Sequence, residues 1–458
     1  MTRVLRYWPL VPLLWLGVLV GVMEPGTLNI RPNVAFEFSL LFYDPADIGA
    51  FVLRGANASM GRTPGRADEP LEEEPADLAR RLDEPQPPLA DRYYLEYPTA
   101  TLLLFRLGFL VPLELPPAVA DSQQFSVSHF SPRNEFEEHI WQRFQLAAIL
   151  HAAIMMIALY GLIAVLRRGY EPDEPIGPVW LCALPAAVFF SLNRFDILPA
   201  LATAFAFAAL GRKRLAWSGA FLAVGVLLKV YPVLFAPVIL RHLGFRAGTK
   251  WAAGFAGTIL LGIGLSTAFL GWEPTVKPIL VQLARPLEEK SWTLYGRVLP
   301  IELGHAKNAR LVILAGTVLL LTITRPSSLH SVLRRCGALL VVFISLAVFW
   351  SPQWVVWFLP LVVPLAARHA HGSAGASPSR WRSWLIPVCI AIDVLNYFQF
   401  PVLFWIVWSH WPKPVCEDIA EVVIRIRFAL WMLLAFGLLW SEFRFRSRAR
   451  CPEPSPSG

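Results

Sequence analysis

Asn193-Arg194-Phe195-Asp196 stands between two runs that are otherwise almost wholly apolar. Ionisable side chains are costly inside a bilayer unless they face a cavity or one another, so a break of this kind marks a functional site. A guanidinium suits bidentate contact with an anion and an ammonium acts as a point charge, while a carboxylate can take a proton from a hydroxyl. Lys229-Val230-Tyr231-Pro232 is a second such break. Two later polar corners are Arg285-Pro286-Leu287-Glu288-Glu289-Lys290-Ser291-Trp292 and Phe349-Trp350-Ser351-Pro352-Gln353-Trp354. Two earlier segments are aromatic and acidic: Phe42-Tyr43-Asp44-Pro45-Ala46-Asp47-Ile48 and Asp91-Arg92-Tyr93-Tyr94-Leu95-Glu96-Tyr97-Pro98.

The composition says what must position these groups. With 55% hydrophobic residues, 16% charged residues and 18 Trp in 458 residues, the chain is too apolar for a soluble protein. Its mean hydropathy is +0.50. It reads as an all-α polytopic membrane protein forming a single integral domain over 1–458. The net charge of +8 sits in short basic clusters between apolar runs, the pattern of cytoplasmic loops and not of a nucleic-acid surface. The 5 cysteines are dispersed, without a CxxC or a His pair at ligand spacing, which argues against a disulfide framework and a zinc site.

Counting the basic clusters sets the topology. The N-terminus, Arg167-Arg168, Arg212-Lys213-Arg214, Arg241 to Lys250, Arg325 to Arg335, Arg368 to Arg382 and the tail (442–458, with Arg444 to Arg450) are the cytoplasmic candidates. An even number of crossings must separate each from the next. The runs 177–192 and 196–211 make one hairpin only if Asn193 to Asp196 is its outer tip. The run between Arg214 and Arg241 must fold as two short or broken helices with Lys229 to Pro232 at the turn, since one straight crossing needs about 20 residues. Pro232 helps by removing a backbone donor. Both polar breaks then lie at the same outer face.

Further crossings follow at 250–270, 309–324, 335–350, 353–367, 384–408 and 422–441. With an uncleaved first helix ending near Met23 and a span at 141–166, the total is about 12, with both termini cytoplasmic. The apolar stretch 98–117, broken by Arg106, Glu114 and prolines, reads as re-entrant or interfacial. The first outer loop, 25–97, is acidic and has no lysine, as a translocated segment should. Its middle, 61–88, is rich in Pro and charge and reads as a disordered insertion.

Taken together, Glu96-Tyr97-Pro98, Arg-Phe-Asp-x-Leu-Pro (Arg194 to Pro199), Lys-x-Tyr-Pro (Lys229 to Pro232), Arg-Pro-Leu (Arg285 to Leu287) and Ser-Pro-Gln-Trp (Ser351 to Trp354) give the chain its family likeness. In this order it resembles glycosyltransferase family 87, polytopic enzymes of the GT-C fold. The chain departs from the family's pattern at the 61–88 insertion and at Thr99, where a second proline is common.

The resemblance implies transfer of a hexose, mannose in the related enzymes, from a polyprenyl-phosphate sugar donor. The acceptor would be a hydroxyl of a lipid or glycan at the outer face of the cytoplasmic membrane. It implies that an early outer-loop carboxylate is the base, Asp47 or its rival Asp44. Arg194, Lys229 and Arg285 would face the donor phosphate. Asp196, Tyr231, Glu96, Tyr97, Glu288 and Gln353 would contact substrate. Neither a metal nor another cofactor is expected, and the partners are the donor, the acceptor and membrane lipids, with no nucleic acid.

Plainer readings stay open at the same residues. Arg194 and Asp196 could form a structural ion pair, Lys229 could snorkel to the interface, and Arg285 with Glu288 or Glu289 could be a solvated loop face. Tyr93, Tyr94, Tyr97, Trp354 and Trp357 could form an aromatic belt. A secondary transporter and a lipid-linked glycan flippase or polymerase are the alternative functions.

Overall fold

The computed structural model describes residues 4–23, 135–172, 177–270, 272, 275–276, 303–347, 351–367, 380–407 and 411–450. These residues are helical, with no strand among them. In chain order the helices are α1 (Val11–Met23), α2 (Glu135–Arg167), α3 (Pro185–Asn193), α4 (Ile197–Gly211), α5 (Leu215–Leu228) and α6 (Ala236–Leu243). Then come α7 (Phe245–Leu270), α8 (Leu303–Ile323), α9 (Leu329–Ser345), α10 (Val355–Leu365), α11 (Arg380–Tyr397) and α12 (Lys413–Arg450). A 3-10 turn, Tyr231–Phe235, leads into α6, a second, Pro352–Trp354, leads into α10, and a kinked segment, Phe398–Val407, follows α11.

Proline chemistry places the breaks between them. Pro199 sits in the first turn of α4, where its missing N–H has no intrahelical partner to lose. A helix running straight on from α3 would drive the Pro199 ring into the Phe195 carbonyl, so the chain bends by 107° between α3 and α4. Pro232 does the same to α5. That helix stops at Leu228, four residues before the proline, and Lys229 is already extended at φ −158° and ψ 130°.

The helices pack as bilayer helices do, through small residues that let backbones approach. Ala216 of α5 lies against Gly254 of α7 and Leu227 lies against Gly262, so these two helices run parallel. A Cβ on Gly219 would meet the Trp251 carbonyl, and one on Gly254 would meet the Ala216 carbonyl; only glycine fits at either place. Large apolar side chains on α7 and α8 face outward, among them Leu260 at 69% and Val312 at 71% exposure, as a lipid-facing surface requires.

One end of the bundle is held by arginines. Arg212 donates to the Gly169 carbonyl just past α2 (3.0 Å), Arg241 of α6 to the Thr322 and Ile323 carbonyls ending α8 (2.9 and 3.1 Å), and Arg325 to the His242 carbonyl (2.9 Å). Each such cation satisfies helix C-terminal carbonyls and opposes the negative end of the dipole. Arg334 and Arg335 of α9 bond Glu442 of α12 at the same end, at 3.1 and 2.9 Å. Arginines from three of the basic clusters, Arg212, Arg241 and Arg325 to Arg335, thus make these contacts. Asp196 and Lys229 lie at the opposite ends of α4 and α5 from the turn Arg212-Lys213-Arg214 that joins those helices.

Four stretches are long and apolar enough to cross a membrane: Ile149–Arg167, Phe245–Ala268, Trp384–Leu403 and Pro414–Glu442. The bent pair α3 and α4 makes a fifth if it counts as one span. Among the described residues this is fewer than the roughly 12 crossings that charge parity suggests. The reason is local. Expected spans such as Leu215–Leu228 and Pro352–Leu365 are real apolar helices, but prolines and polar breaks keep them short. At 14 residues, α5 rises about 21 Å against a hydrocarbon core of about 30 Å. Segment 98–117, the 61–88 insertion and the end of the tail, 451–458, lie outside the described residues.

Candidate functional site

The two proline breaks bring their polar residues together. Lys229 Nζ donates to Asp196 Oδ1 at 2.7 Å, an ion pair in which the carboxylate is fully buried and the lysine side chain keeps 16% exposure. Asp196 stands at the N-cap position of α4, where an aspartate ordinarily binds backbone N–H groups. Here its side chain makes no such bond. It accepts from Lys229 and from the indole N–H of Trp357 on α10, the latter at 2.5 Å.

Trp357 closes the site from the third break. Its ring stacks on Tyr231 at 4.0 Å between centroids and 6° between planes. Trp354 also stacks on Trp357, at 5.3 Å between centroids. Lys229 Nζ lies 4.9 Å from the Phe195 ring centroid and 5.1 Å from that of Trp357, so the ammonium faces two aromatic rings as well as its carboxylate. Tyr231, Trp354 and Trp357 are each nearly fully buried. Gln353, in the turn that launches α10, is 5% exposed and its Oε1 meets no hydrogen-bond donor among the described residues.

Two electrostatic facts decide what the cluster can bind. Arg194 is near enough for its charge to act on Lys229, so two cations and one carboxylate stand close together here. Asp196 Oδ2 is buried and has no partner among the described residues. A buried carboxylate oxygen without a donor is expensive, and a ligand hydroxyl is the natural group to satisfy it. Lys229 retains two further N–H donors after its bond to Asp196. A buried ion pair is weak evidence for stability, because desolvation offsets its attraction.

Of the residues singled out in the sequence, Arg194, Asp196, Lys229 and Tyr231 come together, and Gln353 lies on the turn beside Trp354. Asp44, Asp47, Glu96, Tyr97, Arg285 and Glu288 lie outside the described residues. Asp196 is bonded by Lys229 and Trp357, and not by Arg194, so the pairing differs from the ion pair its near neighbour would form. Lys229 is tied to a carboxylate and does not snorkel freely. Trp354 and Trp357 are interior groups, not a belt. Trp357 and Asp393 are the side chains that sequence reasoning missed; a lone acid in the apolar run 384–408 was the signal for Asp393. Among the described residues, no three His, Cys, Asp or Glu side chains converge.

Against known families, residues 130–352 match the model of glycosyltransferase family 87, a span that contains Arg194, Asp196, Lys229 and Tyr231. Comparison with curated proteins finds no match.

Proposed function

We propose, from the match of residues 130–352 to the glycosyltransferase family 87 model, that this chain is a membrane glycosyltransferase that moves a hexose, by resemblance mannose, from a polyprenyl-phosphate donor. The acceptor is a hydroxyl of a lipid or glycan, and the reaction takes place at the outer face of the cytoplasmic membrane. The observation that carries the reading is the Asp196–Lys229 pair with Arg194 beside it, two cations at a buried carboxylate whose Oδ2 has no partner among the described residues. A sugar joined to a lipid monophosphate is a phosphodiester, an anion of the kind that Lys229 and Arg194 side chains bind.

The chemistry follows from that match. The acceptor oxygen bonds to the sugar's anomeric carbon as the bond from that carbon to the phosphate oxygen breaks, and the electron pair leaves with the lipid phosphate. The acceptor proton passes to a carboxylate, for which Asp47, with Asp44 as its rival, is the family's implication. The departing phosphate gains negative charge in the transition state. Arg194 and Lys229, with Arg285, then bind it more strongly than they bind the donor, which is what accelerates the step. Asp196 Oδ2 receives a sugar hydroxyl, and Tyr231, Glu96, Tyr97, Glu288 and Gln353 line the substrate. These residues require no metal or cofactor of their own to play those parts.

The test uses the full chain, purified in lipid, with labelled polyprenyl-phosphate-mannose and a glycolipid acceptor mixture. Asp47→Asn and Asp44→Asn are compared with the native protein. Loss of turnover in one of them supports the base assignment, and full activity in both sinks it. No consumption of any lipid-phosphate sugar, together with solute uptake into vesicles, would instead favour a transporter.

A further inference from the structure

The strongest unassigned group in the molecule is a carboxylate far in sequence from the cluster. Asp393 lies on α11 at 2% exposure. Its Oδ1 accepts from the backbone N–H groups of Ala186 (2.9 Å) and Ala187 (3.3 Å), and its Oδ2 accepts from Ala187 at 3.1 Å. These are the first N–H donors of α3, because Pro185 has none. Leu184, at the N-cap, offers no side-chain bond of its own. The carboxyl oxygens of another helix thus serve as the cap.

The far end of the same helix carries the site. α3 has nine residues and runs directly into Arg194, Phe195 and Asp196. A helix of that length does not hold its shape alone, so its partners set where those side chains stand. α11 and the segment after it grip α3 a second time: the Phe189 ring meets Tyr397 at 5.9 Å and Phe400 at 6.3 Å, both edge to face. Around Asp393 the wall is apolar, formed by Leu184, Leu359, Cys389, Ile392 and Trp431.

We propose that Asp393 is a positioning residue for the transfer reaction, acting through α3 to hold Arg194 and Asp196 in register with Lys229. The inference rests on the proposed role of that cluster. Asp393 touches no substrate. Without it the α3 N-terminus loses its acceptors, the helix shifts or frays, and the bend that presents Asp196 is no longer fixed.

The experiment is a double-mutant cycle on the full chain in lipid, with labelled polyprenyl-phosphate-mannose as the probe. Asp393→Leu and Asp393→Asn are each made in the native and in the Asp196→Asn backgrounds. In the native background Asp393→Leu is expected to lower kcat about thirtyfold with KM changed less than about threefold, while Asp393→Asn, which keeps one acceptor oxygen, stays within about fivefold of native. In the Asp196→Asn background both substitutions should cost less than about threefold, because the group they position is already impaired. If Asp393→Leu does not fold, Asp393→Ala takes its place in both backgrounds with the same expected losses. An equal loss in both backgrounds, or no rescue by Asn, overturns the positioning role. Full activity of Asp196→Asn alone overturns the site reading instead, and so separates the two failures.

Discussion

Trp357 donates its indole N–H to the same Asp196 oxygen that receives the Lys229 ammonium, although one comes from α10 and the other from the end of α5. One carboxylate oxygen is therefore held by a charge and a fixed dipole, and its twin is left open. The arrangement turns the carboxylate without occupying all of it.

Trp357→Phe keeps the stack on Tyr231 and removes only the N–H. We expect kcat to fall about ten- to a hundredfold, the scale of one hydrogen bond to a charged group at about 1.5–3 kcal/mol, with little change in thermal midpoint. Steady-state turnover in lipid and thermal unfolding in detergent together check this; a large midpoint loss with unchanged kcat per folded molecule would contradict it.

Lys229→Met strands the fully buried Asp196 carboxylate. Breaking one half of a buried pair typically costs about 3–5 kcal/mol, so the single variant should unfold well below the native protein. Adding Asp196→Asn should return much of that stability while activity stays lost. A double variant no more stable than the single one would argue against the pair as the cause.

Gly219→Val and Gly254→Val put side chains where the α5 and α7 backbones touch, against carbonyl groups that cannot move aside. Each should destabilise by about 1–3 kcal/mol or more through overpacking. Gly257, with open space around its Cβ position, provides the control: Gly257→Ala should leave the unfolding midpoint near native.

Glu442→Leu leaves Arg334 and Arg335 buried without their shared carboxylate, and it also removes the acceptor of the Ser331 hydroxyl. We expect a stability loss of about 3–5 kcal/mol. Because this cluster sits at the arginine-held end, the KM for donor should hardly change. A selective rise in KM would place Glu442 nearer the chemistry than its packing does.

Tags at 212 and 290 report the sidedness that charge counting implies. Accessibility from opposite sides of the membrane is the expected result, and labelling of both from one side would break the parity argument.

The class of the molecule was written in its composition, since a chain this apolar has to be helical where it meets lipid. The breaks at Asn193 to Asp196 and Lys229 to Pro232 were equally legible. Each depends on a proline and the carbonyl four residues before it, an interaction contained within one turn of chain. The partner of Asp196 was not legible. Arg194 is its neighbour in sequence and Lys229 is the residue that reaches it, because the bend at α3 and the end of α5 fix the directions of those side chains. Trp357 and Asp393 act across three helices by contacts 161 and 206 or more residues apart, which no local period records. Sequence alone set where the chain must break and what charge stands at each break. Only the tertiary packing, governed by backbone approach at glycines and by caps borrowed from other helices, decided which of those charges meet.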